Sequence, residues 1–262
     1  MKCLFPGIVG LIISIFANSL FSQVNTERYR MESEHLGFQF SNSLSFVLSK
    51  GNTDEIELGN NFRTDYFSQK MHYFSIVDYN YKTAGGIKAR NNGFVHIRTV
   101  ADLKHDIIMI EGFTQWQFDE FILLKNRWLI GSGLRINMSG WLVAVEEEEA
   151  ALNVFVGSGL MYEYEDYSVE PLALFRKLRS TNYLSLVWSI SDHANMNLVN
   201  YYQPNMASIS DFRFSSYLGF KIRLVGQLSI GLNVTYEHRS RVVGDKLPND
   251  LKIRNTLTLN LP

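Results

Sequence analysis

From residue 38 to residue 49 the chain alternates. Phe38, Phe40, Asn42, Leu44, Phe46 and Leu48 take the even positions; Gln39, Ser41, Ser43, Ser45, Val47 and Ser49 take the odd ones. A period of two marks a strand with one apolar and one polar face. The pattern returns at 55–67, where Ile56, Leu58, Phe62 and Tyr66 oppose Glu57, Gly59, Asn61, Arg63 and Asp65. It is cleanest near the C-terminus. There Phe212, Phe214, Leu218, Phe220, Ile222 and Leu224 oppose Arg213, Ser215, Gly219, Lys221 and Arg223. Read this way, the chain carries twelve strands, at about 37–50, 55–67, 71–82, 92–103, 107–118, 127–137, 151–164, 179–190, 195–203, 211–224, 228–240 and 251–261.

Strand length separates a soluble sheet from a membrane one. Soluble strands centre on about 5–6 residues, whereas a tilted strand crossing a bilayer needs about 9–11. Runs such as 211–224 exceed both. Only a closed sheet leaves no unpaired backbone in lipid, so the expected fold is all-β: a transmembrane antiparallel barrel of about twelve strands. An even number suits a bacterial single-chain barrel. The connections are expected to alternate. Ser68 to Lys70, Lys104 to Asp106, Ser191 to His193 and Val225 to Gln227 read as tight periplasmic turns. Thr83 to Asn91, Asp119 to Asn126, Glu165 to Lys177 and Val242 to Asp250 read as longer extracellular loops. The stretch Met138 to Ala150, with Glu146 to Glu149, fits no strand and reads as a solvated loop, so ten or fourteen strands stay open. Tyr66, Phe67, Trp116, Phe118, Trp128, Tyr162, Tyr164, Tyr201, Tyr202 and Tyr236 lie near strand ends and are candidates for interfacial girdles.

The N-terminus adds export. Lys2 precedes an apolar core from about Ile8 to Ala17, followed by small polar residues, which is a signal-peptide layout. That core is shorter than the roughly 20 apolar residues of a spanning helix. Cleavage fits after Ser19 or after Ser22. The expected organisation is a signal peptide at 1–22, a short periplasmic segment at 23–36 and an outer-membrane barrel at 37–262.

Composition narrows the chemistry. The formal net charge of −1 gives no reason to expect a nucleic-acid partner. The one cysteine, Cys3, lies inside the expected signal, so a mature chain has no thiol chemistry. Six histidines are few for a metal centre, and no glycine-rich phosphate loop precedes a helix. No metal, cofactor or catalytic residue is expected. The polar faces should line the lumen, which nominates Glu57, Arg63, Asp65, Arg213, Lys221, Arg223, Glu237, Arg239, Lys252 and Arg254. With the last strand beside the first, these charges either line an aqueous path and set ion preference or pair across the interior and plug it. Twelve strands leave a lumen of intermediate width.

Several stretches carry a family resemblance. Ser49-Lys50-Gly51-Asn52-Thr53-Asp54 resembles the hairpin of the salt-induced outer membrane protein family, whose domain has no assigned function. Arg127 to Leu134 and Gly157 to Tyr164 resemble its Gly-x-Gly strands, and Tyr236 to Arg239 with Pro248 and Asp250 its last hairpin. The resemblance spans about 38–261. It implies an outer-membrane barrel of a Gram-negative envelope and, through the family's name alone, a tie to salt adaptation. Such barrels usually end in an aromatic residue; this chain ends Leu261-Pro262. Separately, His238-Arg239-Ser240 resembles the His-x-Ser of the outer-membrane phospholipase family, although Arg241-Val242 replaces the Asn-Gly that follows there. The leading expectation is a structural or narrow-pore envelope protein. The alternatives are a porin-like channel for small solutes or ions and a membrane-embedded lipid hydrolase. Expected partners are outer-membrane lipid, the barrel-assembly machinery during biogenesis, and small solutes or ions.

Overall fold

In the computed structural model, the described residues are 36–51, 54–104, 107–142, 151–171, 173–225, 228–244 and 247–259. The expected signal peptide, the segment to residue 35 and the run Glu146 to Glu149 lie outside them. Twelve strands follow one another: β1 (Gly37–Ser49), β2 (Glu55–Phe67), β3 (Met71–Ala84), β4 (Ile87–Lys104), β5 (Ile108–Asp119), β6 (Leu124–Asn137), β7 (Ala151–Tyr167), β8 (Ala173–Ser191), β9 (Ala194–Asn205), β10 (Ser208–Val225), β11 (Leu228–Arg239) and β12 (Asn249–Leu259). Each pairs antiparallel with the next in a single sheet, in the order β1 to β12. This is the twelve-stranded all-β fold that the alternation predicts. The stretch after β6 holds one short helical turn, Ser139–Leu142.

The sheet curls until side chains three strands apart meet. Tyr183 on β8 donates from its hydroxyl to Glu111 Oε2 on β5 at 2.8 Å. Arg213 on β10 reaches Glu165 Oε1 on β7 at 2.6 Å. Glycines make room on the concave side. A Cβ on Gly157 would stand 2.0 Å from the Tyr183 ring, and one on Gly131 would stand 2.6 Å from the Phe113 ring. Those aromatic rings can therefore lie flat against the wall only where the wall has no side chain.

Two expectations change. The β3–β4 connection is not a long loop. Gly85 and Gly86, with φ of 58° and 75°, form a two-residue turn, the positive φ pair that matches the twist of a hairpin. Likewise β8 starts at Ala173, not near residue 179. Strands therefore run on past the apolar stretch, and the contrast of short turns with long loops survives mainly at 240–248. Second, the last strand does not close on the first among the described residues. β1 and β12 are the two edges of the strand order, and β1 is exposed on both faces along most of its length. The two ends of the chain therefore bound a seam, while the other ten strands form a continuous curved wall.

Outward positions form a wide apolar surface. Ile97, Ile110, Ile130, Leu160, Leu178, Ile230 and Ile253 are all exposed there. Water does not tolerate a contiguous patch of this size; hydrocarbon does. The inward positions are mostly polar, with buried apolar groups such as Phe74, Ile76 and Phe94 among them. Apolar outside and polar inside, on long antiparallel strands, defines a transmembrane barrel of the outer-membrane type. At the loop end an outward aromatic chain runs from Tyr79 to Phe118 (ring centroids 6.4 Å), to Trp116 (5.5 Å) and on to Trp128 (6.2 Å). At the turn end Phe38, Tyr66 and Tyr73 form a second cluster. The aromatics thus sit at two depths, as interfacial belts do. Phe67 and Tyr201 leave the expected girdle. Their parity puts them inside, where Phe67 stacks on His72 at 4.2 Å and Tyr201 meets the Tyr183 ring at a tilt, 5.2 Å between centroids.

Candidate functional site: the charged interior

Three arginines from three strands converge on Glu163 of β7. Arg127 Nε donates to Glu163 Oε1 at 2.9 Å, Arg179 Nε to Oε2 at 2.7 Å and Arg213 Nη1 to Oε1 at 2.5 Å. Arg213 also holds Glu165, and Arg179 Nη2 holds Asp211 Oδ1 at 2.9 Å. Lys177 closes the group on Asp211 at 2.8 Å. Glu163, Arg127 and Arg179 are at most 1% exposed. This is a buried ion lattice. Each carboxylate has at least one guanidinium or ammonium partner, the condition under which buried charge is tolerated.

Smaller clusters extend the filled region. Arg98 faces Glu111 at 3.4 Å, and Arg135 lies over the Phe155 ring at 3.8 Å. On β2, Arg63 donates two hydrogen bonds to Asp65, and His72 shares that carboxylate at 2.9 Å. At the loop mouth Ile122, Leu124 and Tyr167 pack together, with Val243 of the β11–β12 connection against them. Connections from opposite sides of the barrel meet there.

The other side of the interior differs. Lys221, Arg223 and Arg254 share the inward parity of Arg213 and Asn233, but they are exposed to water. Among the described residues no carboxylate lies within salt-bridge distance of these three. Beside them a cavity of about 350 Å³ is lined by Asn195, Asn197, Tyr217, Lys221, Asn233 and Thr256, among others. Across the seam, β1 offers Ser41, Ser43 and Ser45, all exposed. Glu55 and Glu57 on β2 are held by Lys82 at 2.9 and 3.1 Å, and Arg90 approaches Glu57 at 3.9 Å.

The ten sequence-nominated charges therefore sort into groups. Arg213 belongs to the lattice. Arg63 and Asp65 pair with each other. Glu57 is held by Lys82. Glu237 and Arg239 line a small pocket at the loop end with Asp250. Lys221, Arg223 and Arg254 share the exposed side, on β10 and β12, and Lys252 is half-buried on β12. Sequence reasoning missed Arg127, Arg179, Glu163 and Asp211. They sit on strands whose alternation was read for its apolar half, and the partners are 16 to 50 residues apart. Among the described residues, no three His, Cys, Asp or Glu side chains gather as a metal cluster. His238 and Ser240 hold separate partners. His238 Nδ1 meets Asn249 Oδ1 at 2.7 Å, while Ser240 Oγ accepts from the Phe212 backbone N–H at 2.7 Å.

The chain belongs to the family described as "Protein of unknown function, DUF481", whose model matches residues 43–260. A barrel family without an assigned activity is what the Ser49 to Asp54 hairpin and the Gly-x-Gly strands imply. None of the curated proteins matches the chain. Among solved structures it is similar to one described as the NanC porin in a rhombohedral crystal form. The identity is 8%, the TM-score is 0.44, and the match covers 86% of this chain and 99% of that one. It is also similar to the KdgM porin, at 8% identity and a TM-score of 0.38, over 85% of this chain and 100% of that one.

Proposed function

We propose that this barrel is a narrow-pore envelope protein and not an enzyme, with a rigid half that serves as wall and a hydrated half that serves as path. One observation carries the reading. The inward face is divided between an ion lattice that fills the β5–β10 side and exposed polar groups on β10–β12 and β1. A fully structural barrel has no use for unpaired inward cations, whose desolvation in a dry interior costs free energy. A wide porin has no use for a lattice that fills its lumen. The two together suit passage of small solutes or ions along one side. Charged groups on that side then set preference.

Planar-bilayer recording on the purified, folded protein tests this. Discrete small openings are expected. Glu163→Ala combined with Arg213→Ala should enlarge the unit conductance, because the obstructing side chains go. A protein that shows heat-modifiable gel mobility, and is therefore folded, yet never conducts would overturn the path and leave the wall.

A further inference from the structure

Three cations climb the hydrated side in register. On β10, Arg223 pairs across to Ser229 and Lys221 to Gly231. On β12, Arg254 pairs with Asn233. Since Gly219 faces Asn233, the inward rows in order hold Arg223, then Lys221, then Arg254. Each of these successive inward rows carries one cation. Rows are two residues apart, about 6.8 Å of strand, so the staircase climbs roughly 14 Å.

The groups between the steps are neutral: Asn195, Asn197, Ser229, Asn233, Tyr217 and Thr256. Among the described residues no carboxylate lies within salt-bridge distance of the three cations, and Glu237 and Asp250, nearer the loop end, have interactions of their own. Glu55 and Glu57 are held by Lys82, and Asp211 by Lys177 and Arg179. Arg223 and Lys221 stand about 6.8 Å apart along one strand, within the Debye length of about 8 Å at physiological salt. Arg254 lies one row on and two strands across, about 12 Å away. An ion leaving the first pair passes to a separate weak site, and weak multi-site binding is what conduction needs.

We infer that the β10–β12 staircase makes the path selective for small anions over cations. This rests on the narrow-pore reading and adds the class of solute. Neither the lattice nor the girdles depend on it.

The test is a potassium chloride gradient across a planar bilayer holding the full-length protein. Wild type should pass chloride more readily than potassium. The triple variant Lys221→Gln/Arg223→Gln/Arg254→Gln should lose that preference several-fold while keeping folded gel mobility. Lys88→Gln, a cation at the rim away from the staircase, should leave it unchanged. Raising both baths to molar salt should erode the wild-type preference, since the Debye length then falls to about 3 Å, below the step spacing. A cation-preferring wild type would overturn the inference, and so would a triple variant with an unaltered ratio; either would leave the pore standing. A folded protein without conductance would instead remove the pore and the inference with it.

Discussion

The two sides of this interior are built from the same residue types and behave oppositely. On the β5–β10 side Arg127, Arg179 and Arg213 are buried against Glu163 and its neighbours. On the β10–β12 side Lys221, Arg223 and Arg254 look onto water. The difference lies in the company each charge keeps across the curl. Glycines at 131 and 157 let bulky rings sink against the wall of the first side, so the interior contracts and charges meet. The second side ends at the seam, where the inward face of β1 has serines, a glutamine and Val47 but no charge to offer. Curvature and edge, more than composition, decide which arginine is a bolt and which is a step.

The largest effect should come from unbolting the first side. Glu163→Ala leaves three arginines with one partner fewer, and removing one member of a buried ion group costs about 3–5 kcal/mol. A large drop in the urea midpoint of detergent-folded protein is expected. Arg254→Gln, on the exposed side, should stay within about 0.5 kcal/mol of wild type. Equal losses in both would end the contrast.

Next comes the boundary between inside and outside. Leu160 faces outward and is 50% exposed. Leu160→Lys should cost about 2–4 kcal/mol, the penalty for a cation on a lipid face. Thr256→Lys, inward on the hydrated side, should cost little, as lumenal substitutions do. Refolding into lipid vesicles with gel mobility as readout would separate them. A harmless Leu160→Lys would mean that lipid does not contact this face.

The curl itself is tested by Gly157→Val. Its Cβ would stand 2.0 to 2.7 Å from three atoms of the Tyr183 ring. Overpacking of this kind costs about 1–3 kcal/mol, and it should also part Tyr183 from Glu111. Tyr183→Ala should restore part of the loss in the double variant. Additive losses would show that the glycine serves something other than the ring.

The alternation made the wall legible but not its furnishing. Phe212 to Leu224 names its strand and its faces, because lipid and water impose a strict period of two. The same rule fails at strand ends. Lys88, Arg90 and Asn91 open β4, and Arg176 and Lys177 lie near the start of β8. Charged and polar residues interrupt the alternation there, and the strands read as loops. The parity of Arg213 and Arg254 placed both inside. It could not separate them, because Glu163 stands 50 residues from Arg213 and only the curl brings them together. The seam was illegible for a related reason. Pairing of β1 with β12 depends on closure of the whole sheet, and neither strand carries a local signal for it.

The smallest effect sits at the rim and measures what burial adds. Lys88 Nζ donates to Glu120 Oε2 at 2.7 Å, a distance like those in the lattice, but both side chains are nearly half exposed. Glu120 also accepts from Asn91 at 2.7 Å. The Lys88 hydrogen bond is the main cause that holds the Glu120 carboxyl below its ordinary value. A carboxyl whose folded pKa is lowered stabilises the fold above its unfolded pKa. That contribution fades as pH falls through the folded value. Exposed pairs contribute under about 1 kcal/mol, and salt screens them. Glu120→Gln should therefore shift the urea midpoint slightly at neutral pH, less in high salt, and not at all once acid has protonated the wild-type carboxylate. If Glu120→Gln cost as much as Glu163→Ala, distance alone would govern these ion pairs, and burial in the curl could not explain why one side of the barrel is locked.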